Sequence, residues 1–376
     1  MSLTAEQEDL RDAVRGLLAS AGSSAGSSAG GPGAAWRRLC REVGVAGLAI
    51  PGRYGGAGAG PAETGLVMEE LGRDLTPSPM LGSAVLAAQA LLATGDDAAC
   101  GRLLPAIADG SATAALAWTT RAGRWDSSEV ACVARPVGGG GWELSGEAHY
   151  VLDGDTADVL LVAARGPAGV ALFEVDPVQE GAGRTAAVAM DATRRLAVVR
   201  LTRARGHRIG GDATLALGYA RDRACLALAA EQAGAARRAL DLTVGYALTR
   251  VQFGRVIGSF QALQHRLADL HVLVEAALSL SRAAASAAAP ASASALASAS
   301  GSGDEPTLGL RAAAAKVYCS EAAMRTAAEM IQLHGAIGIT WEHPAHRYLK
   351  RAHGAMYLFG RPAQHAAAIA ASLIDR

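Results

Sequence analysis

The chain has 376 residues, about half of them hydrophobic, with 35 basic and 35 acidic side chains and a formal net charge of zero. That balance excludes electrostatic capture by nucleic acid or an acidic membrane surface. At about 150 residues per domain the length predicts two to three domains. Aromatics are only 4%, so the core must be built from Ala, Leu and Val, which suit close-packed helices.

Lysine occurs only at Lys316 and Lys350, and every other basic residue is arginine. The cysteines are Cys40, Cys100, Cys132, Cys225 and Cys319, odd in number and without a CxxC pair. They predict reduced, buried thiols rather than a disulfide framework. The first residues carry early acids and lack the basic start and apolar core of a signal peptide. No charge-free run of 18 apolar residues exists outside an Ala/Ser tract too weakly apolar to span a bilayer. A cytoplasmic location is the expectation.

Leu10, Val14, Leu17 and Leu18 recur at helical spacing after Thr4, a plausible N-cap. Residues 20–33 are Gly/Ser-rich and predict a flexible connector. Short helices are expected at 36–43, 63–71 and 81–94, with a turn-rich loop around Pro51-Gly52-Arg53-Tyr54-Gly55-Gly56. From about residue 113 the pattern changes to short apolar or alternating runs at 130–134, 142–144, 159–163, 170–175 and 196–201. Gly, Asp and Pro separate them, which predicts a small antiparallel barrel or sandwich. Gly138 to Gly141 is a hairpin turn rather than a phosphate loop. Helical periodicity then returns over 213–249, 259–284, 308–334 and 344–372, predicting a bundle. The tract 283–303, nearly all Ala, Ser and Gly, reads as a surface loop or a fraying helix extension. The chain thus divides into helical residues 1–112, β residues 113–205 and a helical bundle at 206–376. The fold class is α+β.

Between two bundle helices lies Arg250-Val251-Gln252-Phe253-Gly254-Arg255-Val256-Ile257-Gly258-Ser259-Phe260-Gln261. Geometry alone would have Gly254 end a helix and Ser259 cap the next. An arginine and two amides beside an aromatic also make a seat for a diphosphate and a stacked ring. With Ala262 through Asp269 this segment resembles the signature of the acyl-CoA dehydrogenase family. The resemblance continues at Gln332-Leu333-His334-Gly335-Ala336, at 342–352, and near the N-terminus at 51–58 and 69–73.

That resemblance implies a helical domain, a middle β domain and a C-terminal four-helix bundle. It implies FAD as cofactor and α,β-dehydrogenation of an acyl thioester to the trans-2-enoyl thioester. In the family a carboxylate takes the α proton, FAD takes the β hydride, and two subunits share each FAD. Carried over, Arg250, Gln252, Phe253 and Gln261, with Gln332, Leu333, His334, Gly335 and Ala336, would meet the diphosphate half of FAD. Ala336 replaces a family glycine. Thr119 and Tyr150 would meet the flavin ring, Tyr150 standing where the family carries tryptophan.

The catalytic positions depart from the family. Phe359 stands where most members have the glutamate base. Ala224 stands at the second known base position, with Cys225 beside it in place of arginine. No catalytic residue is therefore assigned to this chain. Asp222 is expected to face away from Ala224, and Glu231 to lie two turns further on in a packing network. His334, His343 and His346 need no metal in the family, and none is expected. His265 and His271 read as bundle histidines.

The resemblance implies a second acyl-CoA dehydrogenase-type subunit as partner, in an α2β2 enzyme whose base the partner supplies. The substrate would be an acyl-CoA or a carrier-protein-bound acyl group, and an electron-transfer flavoprotein is a possible acceptor. A self-sufficient flavoenzyme with a changed base and a non-catalytic scaffold are the alternatives.

Overall fold

The computed structural model describes residues 3–23, 32–288 and 307–374. The expected connector lies mostly outside the described residues, as does most of the Ala/Ser tract.

Helix α1 (Ala5–Ser23) starts as its sequence predicts. The Thr4 hydroxyl accepts from Gln7 N, and Gln7 Oε1 accepts from Thr4 N, a reciprocal cap. Helices α2 (Pro32–Val43) and α3 (Pro61–Arg73) follow. Residues Met80–Ala87 wind in wider π-type turns before continuing as α4 (Ala88–Ala93). Helix α5 (Asp97–Ala108) was not anticipated from the sequence; it is capped by Asp96 and carries Pro105 in its interior.

The β region comprises β1 (Ala114–Ala117), β2 (Cys132–Val137), β3 (Gly141–Leu152), β4 (Val159–Gly166), β5 (Gly169–Val175), β6 (Ala182–Ala186) and β7 (Leu196–Ile209). Strands β4, β2, β3, β7 and β5 pair in that order, and β5 pairs back with β4 to close a barrel. Two ladders differ from the antiparallel expectation, because β1 and β2 both run parallel to β4. The connections that parallel pairing requires run through other strands of the sheet: β2 and β3 lie between β1 and β4 in the chain, and β3 between β2 and β4. Inside the barrel Leu144, Leu160, Val162, Phe173 and Val199 are buried.

The bundle consists of α6 (Thr214–Thr249), α7 (Gln261–Ser286), α8 (Leu308–His334), α9 (Ala345–Tyr357) and α10 (Pro362–Ile374). The single helix expected over 344–372 is thus two. Phe359 at φ 60 and Gly360 at φ 111 break it, and Pro362 restarts it at a first-turn position that needs no N–H. All five cysteines are buried free thiols. Among the described residues no helix is long and apolar enough to cross a membrane.

The N-terminal helices join the bundle through a crossing with no room for side chains. A Cβ on Gly72 of α3 would lie 2.0 Å from the Glu231 carbonyl of α6, and one on Gly234 would lie 2.0 Å from the Glu69 carbonyl. Each helix therefore presses a glycine onto the other's backbone. Gly234→Ala should cost about 2–3 kcal/mol through overpacking, read as a lowered thermal midpoint.

Candidate functional site

The expected cofactor seat lies at one end of the bundle. After α6 ends at Thr249, Arg250 turns into extended backbone. Strands β8 (Val251–Gln252) and β9 (Arg255–Val256) form a two-residue hairpin turned by Phe253 at φ 53 and Gly254 at φ 76. Gly254 therefore makes the hairpin turn instead of ending the helix. Nor does Ser259 cap α7: its hydroxyl donates to the Val256 carbonyl, and Phe260 holds the cap position.

The hairpin projects its side chains outward. Phe253 is 91% exposed, and Arg250, Gln252 and Gln261 are exposed. The second part of the seat, the end of α8, is tied to this hairpin by aromatic packing. Tyr246, one turn before the end of α6, stacks on His334 at 4.4 Å between ring centroids. Gln332, Gly335 and Ala336 are exposed there and Leu333 is half-buried. The side chains of Arg250, Gln252, Gln261 and Gln332 have no hydrogen-bond partner among the described residues. One guanidinium and three amides thus present unspent donors to whatever lies outside, a donor set that fits a diphosphate.

His334 behaves differently from its neighbours. It is 3% exposed, its ring lies between Tyr246 and His343, and its Nδ1 is 2.7 Å from the Met330 carbonyl. Its side chain stiffens the seat from inside and does not face outward. His343 Nδ1 accepts from Ala345 N at the start of α9. Among the described residues no group of three metal-ligating side chains converges.

The barrel side of the expected site has spent its polar groups internally. Thr119 is fully buried and its hydroxyl donates to the Arg124 carbonyl. The Tyr150 hydroxyl donates to the Arg121 carbonyl at 3.1 Å. A register irregularity in β3 between Ala148 and Val151 and a positive φ of 54 swing Tyr150 outward, across the loop of residues 120–124. Neither hydroxyl proton is left for a flavin ring.

The position expected to hold a base is sealed by carbon. Phe359 is 1% exposed and packs edge-to-face on Trp125, with centroids 4.9 Å apart; Trp125 packs in turn on Trp118 at 5.7 Å. Behind it, buried Lys316 donates to the carbonyls of Ala355 and Met356, each at 3.1 Å, and to Ser320 Oγ at 3.0 Å. These bonds satisfy the carbonyl end of α9 and fix the turn that carries Phe359. Burial lowers the Lys316 ammonium to about 8. His365 Nε2 is 3.1 Å from the Phe359 carbonyl, and burial, with Lys316 nearby, lowers the imidazole to about 4, so it is neutral at pH 7. Ala224 and Cys225 are fully buried, and burial pushes the Cys225 thiol up to about 12.

One group that sequence reasoning set aside does reach this region. Asp222 lines a cavity of about 760 Å³ together with Trp125, Arg221, Phe359 and His365. It faces away from Ala224, as helical geometry requires, but it turns toward Phe359. Burial raises its carboxyl, Arg221 at 2.9 Å opposing. The break after α9, which the sequence reading missed, brings Phe359 and His365 round to meet it.

Glu231 is not a candidate base. It is fully buried and receives hydrogen bonds from Arg194, in the loop before β7, and from Arg351 on α9. Arg351 also donates to Thr193 and Asp191.

Family models for the acyl-CoA dehydrogenase N-terminal and C-terminal domains match residues 4–111 and 216–374, on either side of the barrel. The chain belongs to the acyl-CoA dehydrogenase family. Its relatives include the acyl-CoA dehydrogenase IpdE2 of Mycobacterium tuberculosis, 40% identical over 87% of this chain and 82% of that one. Among solved structures, the Tcur3481–Tcur3483 steroid acyl-CoA dehydrogenase (G363A variant) matches at TM-score 0.81 and 29% identity, covering 98% of each chain. The ChsE4–ChsE5 complex from Mycobacterium tuberculosis matches at TM-score 0.82 and 27% identity, covering 100% of this chain and 99% of that one. This acyl-CoA dehydrogenase thus has the family's fold and class of activity, that of an oxidoreductase.

The buried cluster around Glu231 yields a pH-dependent prediction. Burial alone would raise the Glu231 carboxyl, but Arg194 and Arg351 hold it below its ordinary value. Its folded form titrates below the unfolded one, so its stabilisation is complete above the unfolded value of about 4.3 and declines as pH falls below it. Glu231→Gln should cost about 3 kcal/mol at pH 7, because two buried guanidiniums lose their carboxylate. The gap from wild type should narrow in denaturant unfolding at pH 4.

Proposed function

We propose that this chain is the base-lacking subunit of a heteromeric, FAD-dependent acyl-CoA dehydrogenase. One observation carries the reading: Phe359 fills the base position, locked against Trp125 with no titratable side chain in its place. A second supports it. The outward-facing seat of Arg250, Gln252, Phe253, Gln261, Gln332, Leu333, Gly335 and Ala336 offers free donors, while Thr119 and Tyr150 on the barrel are satisfied within the chain. Such a chain lends the diphosphate half of a site to a neighbour and does not hold the flavin ring itself.

In this reading bound FAD supplies hydride acceptance, and the partner supplies the carboxylate that takes the α proton. Arg250 neutralises phosphate charge, and Gln252, Gln261 and Gln332 fix the diphosphate through amide hydrogen bonds. The likeness to a steroid acyl-CoA dehydrogenase and to the ChsE4–ChsE5 complex supports a bulky acyl-CoA substrate and assembly with an unlike subunit; the reading extends to an α2β2 enzyme in the cytoplasm. An electron-transfer flavoprotein would reoxidise the flavin.

The test is flavin stoichiometry. The chain purified alone should carry little FAD, and co-expression with a second family member should give about one FAD per pair of unlike chains. One FAD per chain in an active homo-oligomer would overturn the proposal. Asp222 favours that second reading, because it is the buried one of the three carboxylates, with Asp126 and Glu129, that line the cavity beside Phe359. In that case Asp222→Asn would abolish turnover while leaving FAD in place.

Within the heteromer, Arg250→Ala should weaken FAD retention by about 2 kcal/mol, the worth of a charge-assisted contact. Faster flavin loss on gel filtration, followed at 450 nm, reads this out; unchanged flavin content counts against the assigned seat.

A further inference from the structure

Large apolar side chains are exposed together where α6 and α8 both end. Leu248, Val251 and Phe253 belong to the last turn of α6 and its hairpin, and Ile337, Ile339 and Trp341 follow α8. The stack of Tyr246 on His334 holds these two segments side by side, and His343 packs on His334 in turn, with centroids 4.3 Å apart. Apolar groups gathered in water at one place mark a surface that something else covers. Trp341 is 86% exposed, yet its ring is fixed. Lys350 Nζ lies 4.5 Å from the ring centroid, and His346 packs against the ring at 4.8 Å and 73°. A ring held in this way loses little freedom when it is covered, which suits it to anchor an interface.

The charge around this patch has one sign. Arg250, Arg255, Arg347 and Lys350 form no ion pair among the described residues. Within 244–261 and 332–350 the sole acid is Glu342. Burial holds the imidazoles of His334, His343 and His346 below their ordinary value, so they add no charge at pH 7. In the proposed seat Arg250 is spent on phosphate, which leaves Arg255, Arg347 and Lys350 against Glu342. A two-fold pairing of identical chains through this end would lay the same cations on one another, and like charges facing each other across an interface repel. A second copy of this chain is therefore a poor occupant. An unlike chain can meet the same patch with acids.

We propose that this end of the bundle docks the unlike subunit through an apolar centre of Trp341, Ile339 and Phe253, and that the facing rim of that subunit is acidic and meets Arg255, Arg347 and Lys350. The inference rests on the heteromeric reading above and adds to it the anchor and the charge that select the partner.

The test uses the complex purified from co-expression with a base-carrying acyl-CoA dehydrogenase subunit. Its dissociation on dilution is followed by mass photometry in buffer saturated with FAD, so that flavin loss does not enter the reading. Trp341→Ala should raise the dissociation constant about thirtyfold. Arg347→Glu should raise it about tenfold at low salt, and the difference should shrink in about 0.5 M NaCl. Both positions are exposed, so each variant chain should keep the thermal midpoint of the wild type. Variant complexes as tight as the wild type, at one FAD per pair, overturn the docking surface and leave the base-lacking reading standing. An active homo-oligomer with one FAD per chain overturns both. Tighter association of Arg347→Glu would mean a basic rim on the partner, and saturable binding to phosphatidylglycerol vesicles that Trp341→Ala abolishes would mean a membrane; either overturns the proposal.

Discussion

The molecule is held together across its parts by one buried ionic cluster. Glu231 sits mid-way along α6, Arg194 comes from the barrel and Arg351 from α9, with Asp191 and Thr193 completing the set. A charge placed in that position demands partners, because an unpaired buried ion costs several kcal/mol. The demand fixes how the barrel sits on the bundle and how α9 lies over α6. The glycine crossing of α3 on α6 falls at the same level, since Gly72 presses on the backbone of Glu231 itself. A small shift of any one element would break the packing and the ion pairs together.

From that frame the two halves of the candidate site acquire opposite characters. At the bundle end, Tyr246 and His334 stack to brace two chain segments whose polar side chains are left facing outward. On the barrel side the hydroxyls of Thr119 and Tyr150 close on their own loop, and Trp125 with Phe359 fills what remains. Rigid scaffolding with unspent donors is the physical form of a surface that can take up a polar group from outside. Spent donors and packed rings are the form of a core.

What could be read from the sequence was what depends on local order. The cap at Thr4, the long helices expected over 213–249 and 308–334, and the signature from Arg250 onward all follow from spacing and residue type. The break between α9 and α10 was missed because Leu358 and Phe359 continue an apolar pattern. The signal was Gly360-Arg361-Pro362, a pair of helix breakers one residue apart. Parallel pairing of β1 and β2 with β4 has no local signature. The Trp125–Phe359 contact joins residues far apart in the chain, and so does the cavity that Asp222 shares with His365. The sequence showed a phenylalanine at 359 where a glutamate was expected, but not that it belongs to a packed aromatic core.

That core also limits what sequence change can do at this position. A glutamate placed at 359 alone would forfeit the ring packed on Trp125 and would share its cavity with Asp222, whose carboxyl disfavours a second negative charge nearby. It would not pack as well as the ring it replaced. Trp125 would have to give way at the same time, and with it the contact to Trp118. The aromatic filling of this position is therefore recorded in at least two residues, Phe359 and Trp125, and neither changes profitably before the other. Such coupling makes the apolar character of the position hard to undo.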